Sequence, residues 1–87
     1  MLSEKTAREM YSKNREKIIQ HVRNNHGNFV VKFCKSGEVK IINTNSEIQD
    51  NKAEFSFKLH HNALIKRQIL DAEFNKALLD YLPLSRI

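Results

Sequence analysis

The hydrophobic period changes twice along this chain, and no other feature restricts its fold so much. From Glu4 to about Asn25 apolar residues recur every three or four positions, with Ala7, Met10, Tyr11, Ile18 and Val22 on one stripe. From Phe29 the period drops to two: Phe29, Val31 and Phe33 alternate with Val30, Lys32 and Cys34, and Val39 and Ile41 with Lys40 and Ile42. Ala53, Phe55, Phe57 and Leu59 then alternate with Glu54, Ser56, Lys58 and His60. After Asn62 the helical period returns, with Ala63, Leu70, Phe74, Ala77, Leu78 and Tyr81 as its main stripe. A helical pattern cannot sit as a half-buried strand, nor the reverse, because side chains repeat every 3.6 residues in one and every two in the other.

Local signals punctuate the pattern. Ser3 is a fitting N-cap for a first helix over about 3–25, and Gly27 suits a left-handed helix end. Strands are expected over about 29–34, 38–43 and 53–60, the first two joined by Lys35-Ser36-Gly37 as a short hairpin with a glycine bulge. Thr44 to Lys52 is polar and turn-prone, a loop. Asn62 caps a last helix over about 62–82, which Pro83 ends, with Asp71 as the position where it would divide. The expected architecture is a single α+β domain, 1–87, in the order α-β-β-β-α: a three-stranded antiparallel meander with both helices packed on one face. The odd-numbered strand residues Phe29 to Leu59 then meet the helix stripes in the core.

Eighty-seven residues suffice for one modest core. No run of about 18 apolar residues is present, so no membrane partner is expected, and the N-terminus reads as no signal peptide. The single cysteine, Cys34, excludes an internal disulfide and a cysteine-based zinc cluster; by strand parity it falls on the solvent side. An intracellular, cytoplasmic protein is expected. Asn, Lys and Ile make up 27 of 87 residues, and their A/T-rich codons suit a low-GC bacterium, a phage (hence a host-cell cytoplasm) or a plasmid.

Chemistry-bearing residues are sparse. His60-His61 point to opposite faces if both lie in a strand, so they mark a strand-to-helix corner rather than a chelating pair. No helical histidine pair has metal spacing, and no nucleotide-binding glycine loop or nucleophile elbow occurs. Cys34 has no local base. No enzyme activity, metal or cofactor is expected.

Charge is more directive. Fifteen Lys and Arg against ten Asp and Glu give +5, and clustered cations on a small domain suit a phosphate backbone, whose counterions they release. On the first helix Lys5, Arg8, Arg15 and Arg23 fall near one face; parity puts Lys32, Lys40, Lys58 and His60 on the outer sheet face; Lys66-Arg67 follow the corner. These are the expected phosphate-contacting residues of a small regulatory module that binds DNA or RNA, or an acidic protein surface. A second stripe on the last helix, Ile65, Ile69, Ala72 and Leu79, is the candidate protein interface, for a homodimer or for an inhibitor or adaptor acting on host machinery.

The α-β-β-β-α order with a basic surface is similar in outline to the double-stranded RNA-binding domain. Lys66-Arg67, early in the last helix, is the nearest counterpart of that family's lysine-rich helix start. The hairpin turn at Lys35-Ser36-Gly37 is short for the family, the long loop precedes the third strand instead, and the lysine cluster followed by alanines is missing. The likeness is one of element order, and implies RNA contact only through Lys66-Arg67.

Overall fold

The computed structural model describes residues 2–44 and 53–85, with side chains through Leu82. Helix α1 spans Glu4–Asn24, strands β1, β2 and β3 span Asn28–Cys34, Val39–Asn43 and Ala53–His60, and helices α2 and α3 span His61–Arg67 and Leu70–Ser85. Ser3 caps α1, its hydroxyl accepting from the Thr6 amide at 3.1 Å, which satisfies one of the orphan donors of a helix start. The helix ends at Asn25 in extended conformation, and Gly27, at φ 109°, opens β1 rather than closing α1. Gly37, at φ 92°, donates to the Cys34 carbonyl at 3.0 Å and makes the β1–β2 hairpin.

The sheet is antiparallel and three-stranded, but its order is β2-β1-β3, not that of a meander. A meander needs β3 beside β2. Here β1 is central and both neighbours run against it, so β2 and β3 are parallel to each other. Parallel strands cannot be joined by a tight turn, which fits the length of the connection from Thr44; the loop expected there lies beyond Thr44 outside the described residues. The central position suits β1, which carries the apolar Val30 on its outer face where β3 carries Ser56 and Lys58.

Phe29, Val31, Phe33, Val39, Phe55, Phe57 and Leu59 are buried under the helices, with Ile41 partly so. Above them lie Ala7, Met10, Tyr11, Ile18 and Val22 of α1 and Leu70, Phe74, Leu78 and Tyr81 of α3. Phe74 is the centre: its ring stacks on Tyr11 at 4.0 Å and lies within 6.5 Å of Phe33, Phe55 and Phe57. Leu2 and Leu64, on neither expected stripe, are also buried.

The last helix is two. Gln68 adopts the left-handed conformation (φ 48°, ψ 48°) and donates its amide to the Leu64 carbonyl at 2.8 Å, ending α2; α3 begins at Leu70. The break falls three residues before Asp71, which sits in the first turn of α3, where a carboxylate meets the positive end of the helix dipole. At its other end α3 runs on to Ser85 rather than stopping before Pro83, since a missing amide in the final turn costs a single helical bond. Cys34 is buried, not solvent-facing: β3 carries one extra residue, Glu54, between the pairs Phe33–Phe55 and Cys34–Ala53, so simple parity fails at that end of the sheet.

Candidate nucleic-acid interface

The strand register decides which basic residues meet. Lys32 of β1 lies directly opposite Lys40 of β2, and on its other side opposite Ser56 of β3. Lys58 is opposite Val30, and therefore diagonal to Lys32, while His60 is opposite Asn28. Lys32, Lys40 and Lys58 thus gather on the sheet face that turns away from the helices, around a small apolar centre made by the cross-strand pair Val30–Ile42. Like charges placed directly opposite on a sheet repel.

His60 is held at the border of this face by another task. Its Nδ1 accepts from the Asn62 amide at 3.0 Å and caps α2. His61 Nδ1 donates to the Val22 carbonyl at 2.6 Å, which fixes the proton on that nitrogen because a carbonyl can only accept. The His26 ring lies 4.4 Å from that of His61, and His21 sets its edge against Phe29 at 5.5 Å. The histidines therefore join the end of α1 to the start of α2. Among the described residues no group of three or more His, Cys, Asp or Glu side chains is placed to hold a metal ion.

The α1 residues separate into different roles. Arg15 grips Asp71 with Nε at 2.9 Å and Nη2 at 3.3 Å, and the Tyr11 hydroxyl donates to the same carboxylate. The Arg15 hydrogen bonds, then that of Tyr11, hold the Asp71 carboxyl below its ordinary range. Burial, followed by the Asp71 hydrogen bond, pushes the Tyr11 phenol up. Arg8 donates to Glu4 Oε2 and to Asn75 Oδ1, each at 3.1 Å. Arg8 and Arg15 are thus engaged in tying α1 to α3. Sequence reasoning missed this because the acceptors lie 56 to 67 positions away.

Lys5 and Arg8 line, with Ser12 and Lys13, a shallow hollow of about 370 Å³ on α1. Arg23 borders a cleft of about 160 Å³ with Arg15, Ile19, Leu64 and Gln68. Lys66 and Arg67 are exposed in the last turn of α2, at the end of a short helix rather than early in a long one as the likeness to the double-stranded RNA-binding domain implied. Since α1 packs on one face of the sheet, its outer side and the Lys32–Lys40–Lys58 face look in opposite directions. The two sets of cations do not make one surface.

The apolar stripe is also divided. Ile65, on α2, is 49% exposed and Leu79, on α3, 60% exposed. Ala72 is exposed, but Ile69 packs against the core at the joint between the helices. The left-handed turn at Gln68 rotates α3 out of register with α2, so the four residues do not share a helix face. No helix among the described residues is long and apolar enough to cross a membrane. No family model matches the chain, and neither a curated protein nor a solved structure resembles it significantly.

Proposed function

We propose that this chain is a small non-enzymatic regulatory module that binds nucleic acid through phosphate contacts made by Lys32, Lys40 and Lys58, with His60 at the margin. The observation carrying this reading is the register that opposes Lys32 and Lys40 and sets Lys58 on their diagonal. Three ammonium groups on a relatively flat surface track a phosphate backbone, and phosphate contacts position a protein without reading bases. The outer face carries no aromatic side chain on β1, β2 or β3, so base stacking of the kind used by single-strand RNA modules has no platform there. The module is therefore expected to bind with little sequence preference and strong salt dependence. Arg8 and Arg15 serve the fold in this reading, and Lys5, Arg23, Lys66 and Arg67 lie outside the contact face.

A nitrogen-15 NMR titration with a short duplex tests the placement. The amide signals of β1, β2 and β3 around Lys32, Lys40 and Lys58 should move together while those at Lys5 and Lys13 stay. Shifts confined to α1 would assign the contact to the opposite side of the molecule.

A further inference from the structure

The corner where β3 becomes α2 is held by two imidazoles used in opposite senses. His60 accepts: its Nδ1 takes the Asn62 amide at 3.0 Å, the one hydrogen bond of that ring among the described residues. His61 donates: its Nδ1–H meets the Val22 carbonyl at 2.6 Å, in the last turn of α1. The senses matter because a proton added to a neutral histidine goes to its bare nitrogen. For His61 that nitrogen is Nε2, and the bond to Val22 survives protonation. For His60 it is Nδ1, the cap itself, so the imidazolium turns a donor towards the amide it was receiving.

No side chain of the corner can take over the cap. The first turn of α2 holds no acidic residue. The charged and titratable groups disposed about the corner are Lys58 on β3, His21 and Arg23 in the last turn of α1, His26 against the His61 ring at 4.4 Å, and Lys66 and Arg67 in the last turn of α2. None is an acid, and β1 offers only Asn28, the cross-strand partner of His60. We propose that this corner is a proton-operated switch: neutral His60 caps α2, and the protonated ring releases its first turn while His61 keeps the helix anchored to α1. A helix of seven residues makes few internal hydrogen bonds, so one lost cap weighs more there than in a long helix. A positive charge at a helix start is also opposed by the dipole. Leu64, buried at the end of that turn, confines the release to the residues before it. The switch stands apart from the phosphate-contact reading and is tested without nucleic acid.

Histidine is the side chain whose charge changes between pH 5 and 8, so an NMR titration of the free protein over that range makes the test. Ring nitrogen shifts report protonation, and amide signals report α2. At pH 8 the His60 ring should carry its proton on Nε2 and the His61 ring on Nδ1. On acidification the Asn62 amide should move with the midpoint of the His60 ring. Its protection against hydrogen exchange, corrected for the intrinsic pH dependence, should fall about fivefold, as loss of one cap requires. The His61 Nδ1 proton, held by Val22, should stay in place throughout. His60→Asn supplies a cap that does not titrate, so its Asn62 amide should remain protected at pH 5, whereas His60→Ala should be loose at both ends of the range. A His60 ring protonated on Nδ1 at pH 8 overturns the proposal, and so does an Asn62 amide that ignores the His60 titration. Acid loosening of equal size in His60→Asn would assign the effect to the other histidines and overturn it too.

Discussion

Lys32→Glu should make the protein more stable and a worse ligand for nucleic acid. Lys32 and Lys40 are Cα partners, and the hydrogen-bond phase makes them a hydrogen-bonded pair, with Cα atoms about 5.5 Å apart. Repulsion between like charges in such a pair, and attraction between opposite ones, is worth roughly 0.2–1 kcal/mol each. Reversing one charge therefore yields about 1 kcal/mol, from which the poorer strand propensity of Glu subtracts a part. The net gain should raise Tm by roughly 2–5 °C for a domain of this size. Concentrated salt should erase that gain, because the Debye length falls to about 3 Å at 1 M. Binding should move the other way. Three lysine contacts predict a slope of log K against log salt of about −2.7, and two predict about −1.8. Thermal melts by circular dichroism and anisotropy titrations of a labelled duplex measure both quantities. A lower Tm in dilute salt would refute the apposed-lysine geometry, and an unchanged slope would remove Lys32 from the contact face.

Other consequences follow from the core and its clamps. Phe74→Ala, at a residue 1% exposed that touches four aromatic rings, should cost about 3–5 kcal/mol, a large share of the roughly 4–13 kcal/mol expected for a chain of this length; a urea midpoint close to wild type would contradict the hub assignment. Asp71 is held ionised below its ordinary range by Arg15 and then Tyr11. Its contribution to stability is therefore complete above the usual carboxylate value near 3.9 and fades as pH falls through the lower folded value; in Asp71→Asn that acid-side loss should shrink, and an unaltered acid profile would show that the clamp is idle. Ile65→Glu should leave a folded protein, whereas Ile69→Glu should lower Tm markedly, because only Ile69 packs against the core. Equal melting of the two variants would mean that the helix break is misread.

Periodicity alone located the first helix, the three strands and the helical stretch after Asn62, because burial on one face imposes its repeat on the residues whatever the tertiary neighbours. It did not locate the neighbours. Strand order depends on which connection is long, and the contrast between the Lys35-Ser36-Gly37 turn and the polar stretch from Thr44 was the available clue, reinforced by the apolar Val30 on the outer side of β1. The helix break at Gln68 had no local signature, since a left-handed residue is usually glycine or asparagine and glutamine gives no warning. The outer lysines were legible because strand parity holds from Asn28 to Phe33. The bonds of Arg8 and Arg15 were not legible because their partners Asn75 and Asp71 come from the far end of the chain, where only packing reveals them.

The most direct test of the phosphate-contact reading is a titration of the pure protein against unrelated duplexes of DNA and of RNA, and single-stranded RNA, from low to moderate salt. The account predicts binding to the duplexes that ignores sequence and weakens about 40-fold between 50 and 200 mM salt, as three phosphate contacts require. Absence of binding at the lowest salt, or an affinity indifferent to salt, would contradict it and leave the lysine face as ordinary solvated surface.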